Sequence, residues 1–255
     1  MMYYTGIDIG STASKVVVLD NEKMVNHFVL PTGWSSKETA GAIAERLTQE
    51  GMPINEDMKV VATGYGRVSV EYAAKTVTEI TCHGKGGCAL MGRDCTIVDI
   101  GGQDTKVITV ENGAASSFLM NDKCSAGTGK FLEIMANRLG VGMPELFALA
   151  ERGTPLPISS MCTVFAESEV ISHIGAGESR EDIAAGVVES VVNKVAGLCS
   201  RHNMKGDVIL TGGLCEADYL VKRLSEKLGK KVYSDPMGRY AGALGAALVA
   251  RGKRR

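Results

Sequence analysis

The chain has 255 residues, of which 45% are apolar, and this composition excludes disordered, collagen-like and coiled-coil proteins. Its length fits one large domain or two smaller ones with a proper hydrophobic core. The 28 basic and 29 acidic residues leave a net charge of -1, so no basic field would attract nucleic acid or anionic lipid, and we expect neither partner.

Neither end of the sequence predicts a secretory signal or a membrane anchor. Residues 1–8 contain no cationic region followed by an apolar one. The apolar and glycine stretch at 242–250 is far shorter than the roughly 20 residues that span a bilayer. We therefore expect a cytoplasmic protein whose seven cysteines serve as reduced thiols, metal ligands or redox groups rather than as disulfides.

An internal repeat relates two segments of the chain. Residues 7–18 align with residues 98–109 at a constant offset of 91. The aligned pairs are Asp8 and Asp99, Gly10 and Gly101, Lys15 and Lys106, and, further on, Asn21 and Asn112. The repeat predicts two structurally similar halves.

Each copy of the repeat is an apolar run ending in Asp-Ile-Gly, a small polar turn and a second β-branched run, which predicts an antiparallel hairpin. Glycine-rich turns let backbone N–H groups approach an anion, so two such hairpins would bind a polyphosphate from both sides. The candidate phosphate contacts are Gly10, Ser11, Thr12, Ala13, Ser14 and Lys15 in the first copy and Gly101, Gly102 and Gln103 in the second. Asp8 and Asp99 are candidates for holding the metal-bound water of a magnesium nucleotide. For one copy alone, a hairpin closure without ligand is an equally good interpretation.

The remaining pattern predicts an α/β protein with two layered sheets and a ligand crevice between them. The expected elements are helix 37–50, strand 58–63, a mixed helical stretch to about residue 80, helices 129–139 and 165–174, helix 183–201 after the capping Ser179, strand 207–211, and helices 217–228 and 241–251. We expect an N-terminal half at 1–94, a second half at 95–240, and a C-terminal helix at 241–255 that packs back on the first half.

A third glycine motif follows strand 207–211. Thr211, Gly212 and Gly213 lie between that strand and the next helix, where exposed backbone can pack flat against a purine base. Gly242 and Gly245 allow the first turn of the last helix to approach the same region closely. An ordinary strand-to-helix turn is the alternative interpretation.

The three glycine motifs together resemble the two phosphate motifs and the adenosine motif of the acetate and sugar kinase, Hsp70 and actin superfamily, over nearly the whole chain. Residues 121–133 and 160–171 are similar to the long cysteine motifs of the ATP-dependent activators of 2-hydroxyacyl-CoA dehydratases, in the BadF/BadG/BcrA/BcrD-type ATPase family. The resemblance implies a duplicated actin-like ATPase fold. It also implies that Gly127, Gly212, Gly213 and Gly242 contribute to nucleotide binding.

The resemblance gives Cys124 and Cys162 a role as cluster ligands. Each precedes a predicted helix, whose N-terminus stabilises a thiolate. A [4Fe-4S] cluster normally takes four cysteines. Two per chain therefore predict a homodimer with one shared cluster. Without the resemblance, two buried structural cysteines would be the default interpretation.

Other cysteines and histidines are weaker candidates. The spacings of Cys82, Cys88 and Cys95 match no familiar zinc pattern, and Cys199 and Cys215 are weaker still. His83 and His173 have no visible nucleophile partner and are interpreted as structural.

The implied activity is an ATP-driven reductase. The dimer would receive one electron from ferredoxin or flavodoxin, bind two Mg-ATP, and reduce an iron-sulfur partner such as an (R)-2-hydroxyacyl-CoA dehydratase. Lys15, with Ser11 and Thr12, would hold the β- and γ-phosphates, and Gln103 or Asp104 would orient the attacking water. Alternatives are a reductase serving a benzoyl-CoA reductase or a double-cubane protein, a small-molecule kinase, and a nucleotide sensor whose cysteines serve packing or zinc.

Overall fold

A computed structural model describes residues 2–21 and 23–252, and these form two compact units. The first unit combines Met1–Cys95, Val110–Ser117 and Met237–Arg255. The second combines Thr96–Thr109 and Phe118–Pro236. The division of the chain at residues 94 and 240 stays a prediction.

The first part of the chain supplies five strands and two helices. They are β1 (Tyr3–Ile9), β2 (Ala13–Leu19), β3 (Met24–Pro31), α1 (Ser36–Gln49), β4 (Met58–Thr63), a 3-10 turn (Arg67–Ser69), β5 (Lys75–Thr76) and α2 (Glu79–Met91). The rest of the chain supplies β6 (Cys95–Ile100), β7 (Thr105–Glu111), β8 (Ala114–Asn121), α3 (Gly129–Leu139), α4 (Met143–Ala150), α5 (Thr163–Ala176), α6 (Arg180–Ser200), β9 (Asp207–Gly212), α7 (Asp218–Leu228), β10 (Val232–Ser234), a 3-10 segment (Pro236–Tyr240) and α8 (Ala241–Arg251).

The two sheets have the same strand order, which confirms the duplication. The first sheet runs β3-β2-β1-β4-β5 and the second, from its other end, β8-β7-β6-β9-β10. In each sheet the predicted hairpin is antiparallel, and the repeat also holds in register: Asp8 is opposite Lys15, and Asp99 is opposite Lys106. The same sequence pattern therefore places the same two charged residues across from each other in both hairpins.

The core of the second unit lies between its sheet and the long helix α6. The predicted cap is present, since the Ser179 hydroxyl accepts a hydrogen bond from the Asp182 N–H. Helix α6 is long and apolar enough to cross a membrane by length and composition, but 67% of its most apolar window is buried. Burial of this kind is typical of a core helix.

Helix α8 packs against β1 and α2 of the first unit through backbone contacts that only glycine permits. A Cβ on Gly6 would lie 1.9 Å from the Ala243 carbonyl oxygen, and a Cβ on Gly86 would lie 1.9 Å from that of Ala241. A Cβ on Gly245 would lie 1.8 Å from the Cys82 carbonyl oxygen. The backbones of β1, α2 and α8 are therefore in direct contact, with no room for a side chain at these glycines.

The predicted mixed helical stretch up to residue 80 is wrong. Only Arg67–Ser69 turns helically there, Lys75–Thr76 pairs with β4, and the helix α2 begins at Glu79 after Thr78, whose hydroxyl caps it. Helix α2 escapes prediction because glycine inside a helix costs about 1 kcal/mol. In α2 that local cost is offset by the close approach of α8. The other predicted helices and strands are present, with ends shifted by no more than three residues.

Gly245→Ala is expected to destabilise the first unit by at least about 1–3 kcal/mol, the usual cost of overpacking a core, because its Cβ would meet backbone. Gly41→Ala is the matched control. Gly41 lies inside α1 with nothing within 4 Å of its added Cβ, so this change should stabilise by about 0.4–1 kcal/mol. Urea unfolding midpoints measure both, and a neutral Gly245→Ala would contradict the packing described.

Candidate functional site

The turn between β1 and β2 presents backbone and short polar side chains. The Gly10 N–H donates to the Ala13 carbonyl at 3.2 Å, which closes the turn. Thr12 is exposed and Ser11 half-buried. The Lys15 ammonium lies 3.2 Å from the Ala13 carbonyl, at the turn itself. Ser11, Thr12 and Lys15 can therefore reach a phosphate.

Ser14 is the exception among the predicted contacts of this turn. Its side chain is buried, and its hydroxyl lies 2.7 Å from that of Thr32 on the following segment. The Thr32 N–H also donates to the Thr12 carbonyl. Ser14 thus braces the turn from behind, and its place as a direct phosphate contact stays a prediction.

Asp8 lies at the end of β1 with its carboxylate buried. Its Oδ2 is 3.9 Å from Nε2 of His83 on α2. Its Oδ1 is buried and accepts no hydrogen bond from the residues that the structure describes. A buried acceptor without a partner costs about 1–3 kcal/mol. This orphaned oxygen fits a carboxylate whose partner is a bound ligand, such as water on Mg2+.

The turn between β6 and β7 has the same backbone but different charges. The Gly101 N–H donates to the Asp104 carbonyl at 2.9 Å. Lys106 is almost fully buried, with its ammonium 2.6 Å from Asp104 Oδ1 and 3.6 Å from Asp99 Oδ2. The Thr211 hydroxyl donates to Asp99 Oδ1 at 2.7 Å. Both carboxylates of this hairpin are therefore engaged inside the unit.

Gln103 and Asp104 differ in what they can do. The Asp104 side chain is buried against the Lys106 ammonium, whereas Gln103 is exposed at the tip of the turn. Of the two residues predicted to orient water, Gln103 alone presents its side chain at the surface of this unit.

Helix α3 begins against the second turn. The Gly129 and Lys130 N–H groups donate to the carbonyls of Gly101 and Gly102, both at 2.9 Å. The Thr105 hydroxyl donates to the Gly127 carbonyl at 2.7 Å, and Gly127 itself has a φ of +86°. Gly127 therefore makes the turn that leads the chain into α3, beside Gly101 and Gly102.

Gly212 and Gly213, at the end of β9, have different roles. Gly212 has a φ of +92°, and a Cβ there would lie 2.3 Å from the Ile100 carbonyl oxygen, so the sheet itself requires glycine. Gly213 has nothing within 4 Å of an added Cβ, so its face is open. Within this motif Gly213 is the position where a planar ligand could rest on bare backbone.

The two candidate cluster cysteines lie on adjoining loops of the second unit. Cys162 caps the N-terminus of α5, and Cys124 lies four residues before Thr128, the cap of α3. The Cys124 Sγ is 3.7 Å from the Met161 carbonyl oxygen, and the hydroxyls of Ser125 and Thr163 are 2.8 Å apart. Neither thiol is fully buried. The loops thus bring two accessible sulfurs to one side of the unit.

Helix α5 exposes an apolar face beside these cysteines. Ala166 and Val170 turn inward and are fully buried, while large apolar side chains are exposed on the outward side, together with Ser168 and Ser172. The exposed apolar residues, here called the α5 face, are Met161, Val164, Phe165, Ile171 and Ile174. Phe165 is 60% exposed and Met161 is 74% exposed, so this face is typical of an interaction surface.

Two of the other cysteines, Cys82 and Cys199, are poor metal ligands. Burial raises the pKa of Cys82 to about 12 and that of Cys199 to about 11, which disfavours the thiolate that binds metal. Over residues 2–21 and 23–252, no group of three or more His, Cys, Asp or Glu side chains is placed to hold a metal ion. One chain therefore does not supply a complete set of such ligands from its described part.

Sequence reasoning missed two residues of the site. Lys106 was already aligned with Lys15 in the repeat, but nothing in the pattern shows that one lysine is buried and the other is not. His83 was interpreted as structural, because its neighbour Asp8 is 75 residues away in the sequence. Only the packing of α2 beside β1 and α8 brings the two together.

Comparison with known proteins agrees with this architecture. The model of the BadF/BadG/BcrA/BcrD ATPase family matches residues 5–250. A curated relative, the (R)-2-hydroxyglutaryl-CoA dehydratase activating ATPase of Acidaminococcus fermentans, is 44% identical over 252 residues, covering 98% of this chain and 97% of that protein.

Two solved structures share the fold over nearly the whole chain. The crystal structure of the A. fermentans (R)-2-hydroxyglutaryl-CoA dehydratase component A matches with a TM-score of 0.92 at 44% identity, covering 98% of each chain. The activator of the 2-hydroxyisocaproyl-CoA dehydratase from Clostridium difficile with bound ADPNP matches with a TM-score of 0.91 at 40% identity, covering 98% of this chain and 94% of that one. The predicted actin-like ATPase fold is confirmed. This chain belongs to the BadF/BadG/BcrA/BcrD ATPase family.

Proposed function

We propose that this protein is an ATP-dependent reductive activase, a homodimer with one shared [4Fe-4S] cluster that couples ATP hydrolysis to one-electron transfer onto a partner iron-sulfur enzyme. The observation that carries the proposal is the pair of accessible cysteines, Cys124 and Cys162, on adjoining loops beside the apolar α5 face. Relatives that activate 2-hydroxyacyl-CoA dehydratases support a dehydratase as the partner.

The donor set fits a cluster shared by two chains. A [4Fe-4S] cluster takes four thiolates, and two copies of this chain offer four. The cluster would supply one-electron redox chemistry. Cys162 caps α5, so the positive end of that helix dipole would stabilise its thiolate and the anionic group that the thiolate holds.

The same assembly would cover the α5 face. Exposed Val164, Phe165 and Ile171 lie on the helix that begins at Cys162, so two chains that share thiolates also bring these side chains together. Burying this face would stabilise the dimer by about 25 cal/mol for each Å2 of apolar surface removed from water. The proposed dimer thus gives one explanation for both the thiols and the apolar side chains.

On the nucleotide side, the chain's own groups would bind phosphate and position water. Ser11, Thr12 and Lys15 would hold the β- and γ-phosphates, and Asp8 would accept a hydrogen bond from water on Mg2+, which supplies charge neutralisation. The exposed Gln103 would orient the attacking water. Asp99 would assist magnesium binding less directly, because Lys106 and Thr211 already contact its oxygens.

Hydrogen bonds inside the second unit offer a route from the phosphate turn to the cysteines. The turn's carbonyls hold the first N–H groups of α3. The Asn121 amide donates to the carbonyls of Cys124 and Ala126 at 3.0 and 3.1 Å, and Ser125 pairs with Thr163. If the turn shifts between the ATP-bound and ADP-bound protein, it would therefore displace the loops that carry Cys124 and Cys162. The free energy available for this displacement is limited to the difference in nucleotide affinity between the two conformations.

Ferredoxin or flavodoxin is the proposed electron donor, and an (R)-2-hydroxyacyl-CoA dehydratase is the proposed recipient. A recipient of the benzoyl-CoA reductase or double-cubane type would use the same residues of this chain. Anaerobic protein with ATP should reduce the correct recipient and fail to do so with ADP. Phosphorylation of a sugar or an acid by iron-free protein would instead favour a kinase.

Replacing Cys124 or Cys162 by Ala should abolish the cluster while nucleotide binding remains. Iron analysis of anaerobic wild-type protein should give about four iron per dimer, since a cubane holds four. Cys88→Ala, which removes a partly buried thiol on α2, is the matched control and should keep the iron. Cluster absorbance that survives in Cys124→Ala would end the ligand assignment.

The double variant Val164→Asp and Ile171→Asp should give monomers without iron. Both side chains point outward from α5 while Ala166 and Val170 hold the helix in place, so helical content should not change. Light scattering gives the mass and circular dichroism the helicity. Val68→Asp, at a 76% exposed valine of the first unit, is the control and should remain dimeric. A dimeric, iron-loaded double variant would contradict the proposed interface.

Lys15→Ala should keep the cluster and weaken ATP binding about tenfold or more, because a hydrogen bond to a charged group contributes about 1.5–3 kcal/mol. ATP hydrolysis coupled to electron transfer should fall with it. Lys59→Ala, on the exposed side of β4 in the same sheet, is the control. Unchanged hydrolysis in Lys15→Ala would count against its phosphate role.

A further inference from the structure

His83 is a buried residue at the candidate site that the proposed chemistry does not yet use. It lies on α2, and its Nε2 is 3.9 Å from Oδ2 of Asp8 at the end of β1. Both side chains are more than nine-tenths buried. An imidazole buried this deep beside a carboxylate is unusual in a protein core, so its contact with Asp8 calls for a reason beyond packing.

Backbone confines the same carboxylate from two more directions. A Cβ on Gly242, in the first turn of α8, would lie 2.5 Å from Asp8 Oδ2 and 2.8 Å from His83 Nε2. A Cβ on Gly64, after β4, would lie 2.6 Å from Asp8 Oδ1. Three segments, α2, the start of α8 and the residues after β4, thus lie around the carboxylate at the end of β1. The imidazole is the side chain among these neighbours that can be changed without moving the backbone.

The two carboxylates of the repeat differ in what they retain for a ligand. Asp99 Oδ1 accepts from Thr211, and its Oδ2 lies 3.6 Å from the Lys106 ammonium. Asp8 Oδ1 accepts nothing from the described residues, while Oδ2 faces His83. In the first hairpin the permanent cation, Lys15, extends to the turn instead of pairing with its carboxylate. Asp8 Oδ2 therefore has an imidazole beside it, whereas Asp99 Oδ2 has an ammonium.

We propose that His83 is a positioning residue, which fixes the Asp8 carboxylate so that Oδ1 is directed to water on the nucleotide's magnesium ion. The inference rests on the proposed magnesium-nucleotide binding and deepens it. It also distinguishes the two carboxylates of the repeat: Asp8 would act on the metal's water directly, whereas Asp99, whose oxygens already have partners, would act less directly.

Manganese in place of magnesium tests the proposal without any activity measurement. Free Mn2+ is titrated by EPR against anaerobic wild-type and variant dimers in the presence of ADP, and ADP binding is measured separately in EDTA. His83→Ala should weaken Mn-ADP binding about 10-fold or more, as loss of a residue that orients a metal-associated group does. Affinity for metal-free ADP should not change.

Conservative and control variants separate positioning from packing. His83→Gln, which restores an amide N–H donor in the same space, should recover most of the Mn-ADP affinity. His83→Asn, which keeps an amide in the core but on a shorter side chain, should reproduce the loss, and it serves if His83→Ala does not fold. Lys85→Ala removes an exposed charge two residues away on α2 and should bind as wild type does.

Three outcomes would overturn the inference. Wild-type Mn-ADP affinity in His83→Ala would show that the imidazole does not position Asp8. Equal weakening of Mn-ADP and metal-free ADP would assign His83 to packing alone. Both leave the proposed function intact, provided that Asp8→Asn weakens Mn-ADP binding. If Asp8→Asn binds Mn-ADP normally, the metal role of Asp8 itself is wrong, whatever the iron content shows.

Discussion

A buried carboxylate at the end of the first strand of each hairpin is the constraint to which the rest of the structure responds. Removing an ionised group from water costs several kcal/mol unless neighbouring groups compensate. The second unit compensates with a buried lysine and a threonine hydroxyl on Asp99. The first unit provides an imidazole and two close glycine backbones, and leaves Asp8 Oδ1 without a partner among the described residues.

This difference separates two hairpins whose backbones are the same. In the second unit, Lys106 is paired with Asp99 and Asp104, so the turn exposes Gln103 and no lysine, while the carbonyls of Gly101 and Gly102 accept hydrogen bonds from the start of α3. In the first unit Lys15 remains at the turn. Among the described residues, the same backbone therefore carries an unpaired lysine in one hairpin and an ion-paired one in the other, and on the proposed function only the first is suited to hold phosphate.

Local patterns were sufficient for most of the fold. The offset of 91 predicted both hairpins and their shared register, because side-chain alternation in a strand ties Asp8 to Lys15 and Asp99 to Lys106. Strand 58–63 and helix 241–251 end at the predicted residues. Helix α2 failed because its glycines are unfavourable locally and make sense only against α8, which follows about 150 residues later.

For the candidate site, the sequence proposes individual residues but does not predict which side chains they contact. Glycine turns and acidic strand ends have a local signature, so the sequence identified the turns, Asp8 and Asp99. The burial of a side chain has no such local signature. Lys15 and Lys106 occupy equivalent positions in the repeat, yet Lys15 lies at the turn and Lys106 lies inside a cluster of ion pairs. The same holds for Ser14 and His83, whose contacts come from elements distant in sequence.

If the proposed function is correct, dimerisation of the chain and binding of the cluster are thermodynamically linked. Each chain presents two partly exposed thiols and an exposed apolar face. The described part of one chain neither completes a metal site around the thiols nor covers the apolar face. A cluster that binds only the dimer stabilises the dimer by mass action, and by linkage the dimer raises the affinity for the cluster to the same extent. Loss of iron by oxidation would therefore favour dissociation and expose the α5 face. Because Cys162 begins the helix that carries this face, oxidation of the cluster and exposure of the apolar surface are coupled through a single element.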